Sequence, residues 1–325
     1  MKNAVNNLPR NLEETYNRML QSIPEDIKNG AIRLLQFLVH THKPLTVPQA
    51  IEILATEEEP PYFDVEGRVF DKEEVLRHCP GLISIVSRKN ELHLAHFSVK
   101  EYLLREDQFK ISTASISITR TCLAYLTDID ISYGSTTSSY EGIADSRTRI
   151  RSKRQAIYKI SRTYESFPMT QYAAKAWVRC AAQAQASEEI VRAIVRFLEE
   201  EMTFHKWFFI SFPEGIHRAC FAPQGTRLYY TCLVGLVEPA RDLISKGADV
   251  NAQGGQYGNA LQAASQGGFR EIVLLLLANG ADVNAQGGEY GNALQAASRF
   301  REIRLLLLAN GADTNAGGSS FSNAR

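Results

Sequence analysis

Residues 247–255 read Gly-Ala-Asp-Val-Asn-Ala-Gln-Gly-Gly, and the same nine residues recur 33 positions later at 280–288. The segment 257–265, Tyr-Gly-Asn-Ala-Leu-Gln-Ala-Ala-Ser, recurs at the same offset at 290–298. A fixed period of this length is typical of proteins that stack many copies of one small helical unit. The C-terminal third of the chain is therefore predicted to be a repeat array.

The repeat becomes irregular at both ends of this array. A third Gly-Ala-Asp begins at Gly311, which is 31 residues after Gly280, and a degenerate earlier copy begins near Thr226. Arg304 takes the place of Val273 in the last repeat. We interpret this change either as an outer capping face or as drift in a terminal repeat. In both cases the last repeat is predicted to be the least stable part of the array.

Each unit is predicted to be a turn followed by two short helices. Asn259 is suited to cap the first helix, with Gln262 completing a capping box, and Gly267-Gly268 breaks that helix. The second helix begins near Glu271 and ends at Asn279-Gly280. Because two such short helices cannot bury their own apolar faces, neighbouring units must stack.

These units resemble the ankyrin repeat over residues 225–316, with Asn-Ala-Leu-Gln at 259–262 and 292–295 in place of its Thr-Pro-Leu-His signature. The His is Gln in both copies, so a side-chain amide must make the hydrogen bonds that brace the loop. The resemblance implies that turn tips and first helices bind a protein partner. Tyr257 and Tyr290 are the predicted hot spots, although both could instead pack against the turn glycines. The predicted partner-binding residues are Gln253, Gln256, Tyr257, Gln262, Ser265, Gln286, Glu289, Tyr290, Gln295 and Ser298.

The first 110 residues contain the helix caps and the hairpin of a winged helix. Residues 82–86 and 92–97 are predicted strands joined by a turn at 88–90. Three helices precede this hairpin and a fourth follows it. The four predicted N-terminal caps lie at 22–25, 46–49, 71–74 and 98–101.

Three segments of this region, 8–16, 79–83 and 96–103, resemble one known family. They are similar to the winged-helix segment that follows the NACHT nucleotide-binding domain in fungal STAND proteins, which are NLR-like signalling ATPases that commonly end in ankyrin arrays. The resemblance implies that His96 senses a nucleotide phosphate. The alternative is a histidine packed between wing and helix. Since the chain has no Gly-x-x-x-x-Gly-Lys-Ser/Thr loop, the nucleotide-binding domain would be supplied elsewhere.

Residues 111–224 are predicted to form a helical connector that is interrupted by a polar loop at 132–154. Ser187 is predicted to open a helix with Ile190 and Ile194 directed inward. This connector is predicted to cap the first ankyrin unit. The Gly/Ser-rich tail at 317–325 is predicted to be flexible.

Composition narrows the class of protein. Hydrophobic residues make up 44% and charged residues 22%, and 36 basic side chains balance 36 acidic ones, which does not favour a general polyanion binder. The five cysteines are scattered and never form Cys-x-x-Cys, which favours reduced thiols in a cytoplasmic or nuclear protein. No signal-peptide pattern or membrane-length apolar run occurs, so neither secretion nor membrane insertion is predicted.

The sequence contains no residue pattern that predicts catalysis, a metal site or a cofactor. His93 and His96 lie three apart on a predicted strand, hence on opposite faces, and cannot chelate one ion together. The acidic, Pro-rich segment 57–66 is interpreted as solvated surface. A basic cluster at 147–154 could bind nucleic acid, direct nuclear import or lie solvated at a helix start. The third predicted helix, 73–78, is acidic at its front, which disfavours DNA binding.

We therefore predict a mainly α, non-enzymatic interaction protein with a winged-helix domain at 1–110, the connector at 111–224 and ankyrin repeats at 225–316. By resemblance it would be the regulatory and recognition portion of a STAND-type receptor in the cytoplasm. Its partners would be a protein on the ankyrin surface and a NACHT domain coupled to the winged helix. The alternatives are a nuclear winged-helix DNA-binding protein with ankyrin contacts, and part of an ATPase whose catalytic domain lies upstream.

Overall fold

The computed structural model describes residues 10–41, 43–68, 71–129, 162–184, 187–212 and 223–314. These residues divide into two compact units, 10–184 and 187–314. The boundary falls inside the segment predicted as one connector, so its earlier helices belong to the first unit and its later helices to the second. The predicted loop at 132–154 and the predicted tail at 317–325 lie outside the described residues.

The first unit is built around a winged helix. Its antiparallel sheet consists of β1 (Leu45–Thr46), β5 (Glu91–Leu94) and β4 (Ile83–Val86), in that order, with Leu45 opposite Leu92 and Ile83 opposite Leu94. A second hairpin, formed by β2 (Thr56–Glu58) and β3 (Pro61–Phe63), is inserted between the second and third helices of the motif. The elements are α1 Arg10–Gln21, α2 Glu25–His40, β1 Leu45–Thr46, α3 Val47–Leu54, β2 Thr56–Glu58, β3 Pro61–Phe63, α4 Lys72–His78, β4 Ile83–Val86, β5 Glu91–Leu94, α5 Phe97–Leu103, α6 Ile111–Asp128 and α7 Thr170–Ala184.

The core of this unit forms where α2 meets the sheet. Apolar residues recur at helical spacing along α2, so that Leu34, Leu35 and Phe37 are fully buried. Leu45 and Leu92 are equally buried on the paired strands. The β4-β5 hairpin, which forms the wing, therefore packs onto a continuous apolar face. This packing positions α5, which begins three residues after β5.

Two of the four predicted helix caps in this region are confirmed. Thr46 accepts a hydrogen bond from the Gln49 amide N–H, and the Gln49 side chain accepts one from the Thr46 N–H at 3.0 Å, which completes a capping box. Asp71 accepts from the Glu74 N–H at 2.8 Å.

The predictions for Ser22 and Ser98 as caps were wrong. α2 begins after Pro24, and the Ser22 hydroxyl donates to the Met19 carbonyl instead. α5 begins at Phe97, so the imidazole of His96 takes the capping position. Ser98 lies inside the helix, and its hydroxyl has a buried partner, the Tyr16 hydroxyl at 2.8 Å.

The acidic segment at 57–66, interpreted above as solvated surface, is partly structured. Glu58 lies on β2, and its carboxylate accepts a hydrogen bond from the Ser117 hydroxyl of α6 at 2.5 Å. Glu59 forms an ion pair with Arg120, also on α6, at 3.0 Å. Sequence could not reveal this role, because the partners lie about sixty residues away along the chain.

A buried carboxylate joins several segments of the first unit. Glu52 is 1% exposed and accepts hydrogen bonds from Arg68 at 2.6 Å, from the Tyr125 hydroxyl at 2.7 Å and from the Met169 amide at 2.7 Å. Burial raises the pKa of Glu52, and these three donors oppose that shift. The carboxylate thereby ties α3 to α6 and to the segment before α7.

The second unit is a two-layer array of helices. The first helix of each repeat packs on the first helix of the next, and the second helices pack likewise. Leu261, Ile272 and Leu276 are buried between the layers. The elements are α8 Glu188–Glu199, α9 Glu201–Ser211, α10 Arg227–Leu233, α11 Val237–Ser245, α12 Ala260–Gly267, α13 Arg270–Ala278, α14 Ala293–Ala296 and α15 Arg301–Ala309.

The helices α8 and α9 cover the beginning of this array. α8 packs against α11, with Ile190 and Ile194 fully buried. Phe204 and Phe208 of α9 contact the ring of Tyr230 in α10, with centroids 5.7 and 5.3 Å apart. This packing agrees with the prediction that the connector caps the first ankyrin unit, and the helices that do so come from the last part of the predicted connector.

The described helices include none that is long and apolar enough to cross a membrane. The four described cysteines, Cys79, Cys122, Cys180 and Cys232, are buried free thiols. Cys220 and the basic cluster at 147–154 lie outside the described residues.

Candidate functional site

A chain of hydrogen bonds aligns the loops that precede α12 and α14, residues 247–259 and 280–292, which we call the finger loops. The Asn251 side chain accepts from the Asp282 N–H at 2.8 Å and donates to the Gly280 carbonyl at 3.0 Å. Asn284 makes the same two bonds one repeat later, with Asp313 and Gly311. We did not single out these asparagines from the sequence, although their recurrence at the 33-residue offset was a signal.

Glycines allow the tips of the finger loops to pack closely. Gly255 and Gly288 have φ angles of 78° and 64°, which favour glycine. A Cβ at Gly255 would lie 2.3 Å from the Tyr229 ring, and one at Gly288 would lie 2.1 Å from the Tyr257 backbone. Each tip therefore rests directly on the preceding repeat.

The side-chain amide of Gln262 braces the following finger loop. It donates to the carbonyls of Ala285, Gly287 and Gly291 at 3.2, 3.2 and 3.3 Å. This confirms the prediction that an amide replaces the signature histidine. The predicted capping box was wrong. Asn259 does cap α12 by accepting from the Gln262 N–H, but the Gln262 side chain does not bond back to the Asn259 N–H.

The predicted hot-spot tyrosines are neighbours. The rings of Tyr257 and Tyr290 are stacked, with centroids 5.7 Å apart and planes 18° from parallel. Both side chains are half-buried. The Tyr257 amide also donates to the hydroxyl of the buried Tyr229 at 3.1 Å. The pair forms one continuous aromatic surface, and because the two rings are already stacked their side chains lose little conformational entropy when a partner binds.

Most of the other predicted partner-binding residues are exposed. We call the exposed set, together with the two tyrosines, the finger surface. Gln256 donates to the Glu289 carboxylate across the two loops. The exposed residues are Gln253, Gln256, Gln286 and Glu289 on the finger loops, and Gln295 and Ser298 on the last repeat.

Gln262 and Ser265 were wrongly predicted to contact a partner. They are 1% and 0% exposed, because the next repeat covers the face of α12 that carries them. Their equivalents Gln295 and Ser298 are exposed, since α14 has no later repeat beside it in the described part of the chain. Repeat position alone does not decide exposure at the end of an array.

His96 lies in a second site, on the first unit. Its Nδ1 accepts from the Ser98 N–H at 3.3 Å and lies 2.7 Å from the Ser98 hydroxyl. With Nδ1 engaged in this way, the ring proton belongs on Nε2 and can be donated outward. The imidazole is exposed, so it is not packed between wing and helix as the alternative interpretation proposed.

The surroundings of His96 are basic and aromatic. A cleft of about 290 Å³ is lined by His96, Phe97, Lys43, Lys100 and His93, among others. Phe97 is 67% exposed. The pKa of nearby His40 is lowered, chiefly by burial and further by the charge of Lys100. The cleft therefore fits an anionic group. Of its four cationic or imidazole side chains, Lys43, His93, His96 and Lys100, sequence analysis identified only His96 as a candidate for binding an anion.

Neither a metal site nor a DNA-binding helix finds support in the described residues. They contain no group of three or more His, Cys, Asp or Glu side chains arranged to hold a metal ion. His93 interacts with Glu91 at 3.4 Å rather than with His96. Glu73 is exposed in the first turn of α4, so the helix that would enter a DNA groove presents a negative charge there.

Comparison with known proteins identifies both domains. Residues 16–115 match the model described as GPI inositol-deacylase, winged helix domain, and residues 226–317 match that of ankyrin repeats (3 copies). The chain is also 32% identical over 305 residues to "Azaphilone pigments biosynthesis cluster protein L" of Monascus ruber. This alignment covers 84% of the chain but only 60% of that relative's length. The chain thus contains a winged helix domain and ankyrin repeats, and the repeats indicate protein–protein interaction.

Proposed function

We propose that this chain is the regulatory and recognition portion of a STAND-type signalling receptor in the cytoplasm. The finger surface would bind a protein partner, and the winged helix would couple that event to a NACHT nucleotide-binding domain supplied elsewhere. The observation that carries the proposal is the stacked pair Tyr257 and Tyr290, displayed on finger loops that hydrogen bonds hold in register.

The finger surface has the properties of a protein-binding site. Tyrosine offers apolar area together with a hydroxyl that can form a hydrogen bond, and it is enriched among the residues that dominate interface energies. The exposed amides beside the pair provide both donors and acceptors. Because the loops are already braced by Asn251 and Gln262, little ordering is required when a partner binds.

The cleft at His96 supports the coupling role. Its outward Nε2 proton and its two lysines suit a phosphate, and the resemblance described above gives His96 this function. No phosphate-binding loop exists in this chain, so the nucleotide would be held mainly by the other domain. We therefore expect the isolated chain to show no micromolar ATP binding by calorimetry, and measurable binding would overturn this part of the proposal.

The relative from Monascus ruber supplies a biological context for the proposed function. Its name associates it with an azaphilone pigment biosynthesis cluster, and the alignment covers 60% of its length. By analogy, the present chain would act as an interaction protein rather than as an enzyme of such a cluster. Ankyrin repeats and winged helices commonly supply contacts and not catalytic groups, which supports this assignment.

The test is loss of partner binding on removal of the tyrosine pair. The wild-type chain and a Tyr257→Ala/Tyr290→Ala variant would be used to capture proteins from the source cells, and each candidate would then be purified and titrated directly. We expect the variant to lose tenfold or more in affinity for a genuine partner, as is typical of hot-spot tyrosines. Tyr62→Ala, which removes a tyrosine that is 43% exposed on the first unit, is the matched control. If both variants bind as the wild type does, the surface assignment is wrong.

A further inference from the structure

The imidazole of His96 lies at the end of a chain of hydrogen bonds that begins in the core of the first unit. The Tyr16 hydroxyl lies 2.8 Å from the Ser98 hydroxyl, and the Ser98 hydroxyl lies 2.7 Å from His96 Nδ1. Tyr16 and Ser98 are 8% and 4% exposed, whereas His96 is exposed. We call these three side chains the His96 relay. It leads from a buried hydroxyl to a surface imidazole.

The direction of each hydrogen bond in the relay follows from one backbone contact. The Ser98 N–H donates to His96 Nδ1 at 3.3 Å, so Nδ1 carries no proton and acts as an acceptor. The Ser98 hydroxyl therefore donates its single proton to the same nitrogen. With that proton engaged, the Ser98 oxygen can only accept from Tyr16, and the Tyr16 hydroxyl is the donor. Each donor in the relay thus points toward His96.

These bonds determine the state in which His96 meets a ligand. The nitrogen that accepts hydrogen bonds leaves the ring proton on the other nitrogen, which here is Nε2. Two donors on Nδ1 also hold the ring in one orientation. A hydroxyl that accepts a hydrogen bond becomes a stronger donor, because successive bonds polarise one another. Tyr16 therefore strengthens and directs the bond that Ser98 makes to His96.

Tyr16 makes the relay depend on helix α1. The Tyr16 ring packs against the ring of Tyr102 in α5, with centroids 5.7 Å apart. Glu13, also on α1, forms an ion pair at 3.3 Å with Arg105, which follows α5. The place of the Tyr16 hydroxyl is therefore set by how α1 packs against α5, although α1 is more than seventy residues away from His96 along the chain.

The cleft that His96 lines is suited to an anionic oxygen. Lys43 and Lys100 also line it, and none of the described lining residues is acidic. The carboxylate of Glu91 approaches from β5, but it interacts with His93. A neutral imidazole that donates from Nε2, beside two ammonium groups, can form a charge-assisted hydrogen bond to a phosphate oxygen.

We propose that Tyr16 and Ser98 are positioning residues for this anion site, so that the packing of α1 controls how well His96 binds a phosphate. The inference rests on the proposed function, which assigns the phosphate to the cleft at His96. Ser98 acts through His96, and Tyr16 acts through Ser98. Both are buried, and neither is among the residues that line the cleft.

The first test reads the hydrogen bond at Nδ1 by NMR on the full chain labelled with 15N-histidine. The buffer is mildly alkaline, so that ordinary imidazoles are neutral. Because the chain has seven histidines, His96→Gln identifies the His96 signals by their absence. We expect a protonated Nε2 and a hydrogen-bonded Nδ1 in the wild type. Ser98→Ala should move the Nδ1 signal toward that of a free imidazole, and Tyr16→Phe should move it part of the way.

Tyr102→Phe is the matched control. It removes a hydroxyl from the ring that packs on Tyr16, but that hydroxyl interacts with Glu106 and not with the relay. We expect the Nδ1 signal of this variant to equal that of the wild type. Should Ser98→Ala fail to fold, as judged by circular dichroism, Tyr16→Phe decides the test alone, because it removes one oxygen and keeps the ring.

The second test measures the affinity of the cleft for inorganic phosphate, by titration followed through the His96 signals. Loss of one hydrogen bond of ordinary strength corresponds to about a fivefold change in a binding constant. We expect Ser98→Ala to lose about fivefold in affinity, and Tyr16→Phe about twofold, since it only weakens the bond that Ser98→Ala removes. Tyr102→Phe should bind phosphate as the wild type does.

The outcomes separate this inference from the proposed function. A ring proton on Nδ1, or an Nδ1 signal that is the same in the wild type, Ser98→Ala and Tyr16→Phe, overturns the relay, while phosphate binding by the wild type would leave the proposed function standing. A changed Nδ1 signal with unchanged phosphate affinity overturns the positioning role. If the wild-type His96 signals do not respond to phosphate, the assignment of the cleft in the proposed function fails, and the control by α1 fails with it.

Discussion

Val273 and Arg304 are the fourth residues of α13 and α15, yet Val273 is completely buried whereas Arg304 is exposed. The two helices are otherwise identical in sequence, Arg-Glu-Ile-x-Leu-Leu-Leu-Leu-Ala. The difference in burial arises because α15 covers α13, while no described helix covers that face of α15. The exposed side chain agrees with both interpretations of Arg304, an outer capping face and drift in a terminal repeat.

Exchange of these two residues should therefore have very unequal effects. We expect Val273→Arg to destabilise the protein by about 3 kcal/mol or more, because it buries a charge without a partner. Arg304→Val should change the free energy of unfolding by less than about 0.5 kcal/mol, as for most surface substitutions. Urea denaturation of each variant gives both values. Similar losses in the two variants would show that the last helix is covered on both faces.

Gln262 and Gln295 offer a second matched pair. Gln262→Ala removes the amide that contacts three carbonyls of the next finger loop, one of them buried and two part-buried, so we expect a loss of about 1–3 kcal/mol. Gln295 is exposed at the equivalent position, and Gln295→Ala should be nearly neutral. Thermal or urea unfolding measures the difference. An equal cost at both positions would contradict the bracing role of Gln262.

The helix caps of the first unit can be tested in the same way. Thr46→Ala breaks a complete capping box and should cost about 1 kcal/mol of stability. Ser22→Ala removes a hydroxyl that does not cap α2 and that donates to an exposed carbonyl in the last turn of α1, so its effect should be small. If Ser22→Ala proves the more costly change, the start of α2 lies where the sequence pattern placed it.

The stability of the first unit should depend on the protonation of Glu52. Its folded-state pKa is raised, chiefly by burial, so the folded state holds this proton more tightly than the unfolded state does. The contribution of Glu52 is therefore largest below its ordinary pKa and is lost as pH rises through the folded value. The wild type should gain stability relative to Glu52→Gln when pH falls from 7 to 5. Unfolding free energies measured for both proteins across this range decide the point, and a loss of wild-type stability relative to Glu52→Gln as pH falls would contradict it.

Much of the second unit could be read directly from the sequence. The 33-residue period, the Asn259 cap, the bracing amide at Gln262 and the tyrosine pair were all predictable because each depends on neighbours within one or two repeats. In such an array, contacts between adjacent units repeat with the sequence, so local pattern and tertiary contact carry the same information.

The remaining features were decided by tertiary structure. Glu58 and Glu59 were interpreted as solvated surface, but α6 supplies Ser117 and Arg120 as their partners, and Glu59 itself stays exposed. Ser98 was predicted as a cap, but His96 takes that position and the Ser98 hydroxyl bonds to the Tyr16 hydroxyl. These partners lie roughly sixty to eighty residues away along the chain. Sequence determined the repeat helices and the β4-β5 hairpin, since these depend on local spacing and capping, but it did not predict the β2-β3 hairpin. Which polar groups are buried, and therefore which remain to bind a partner, depended on distant segments that meet only in the folded protein.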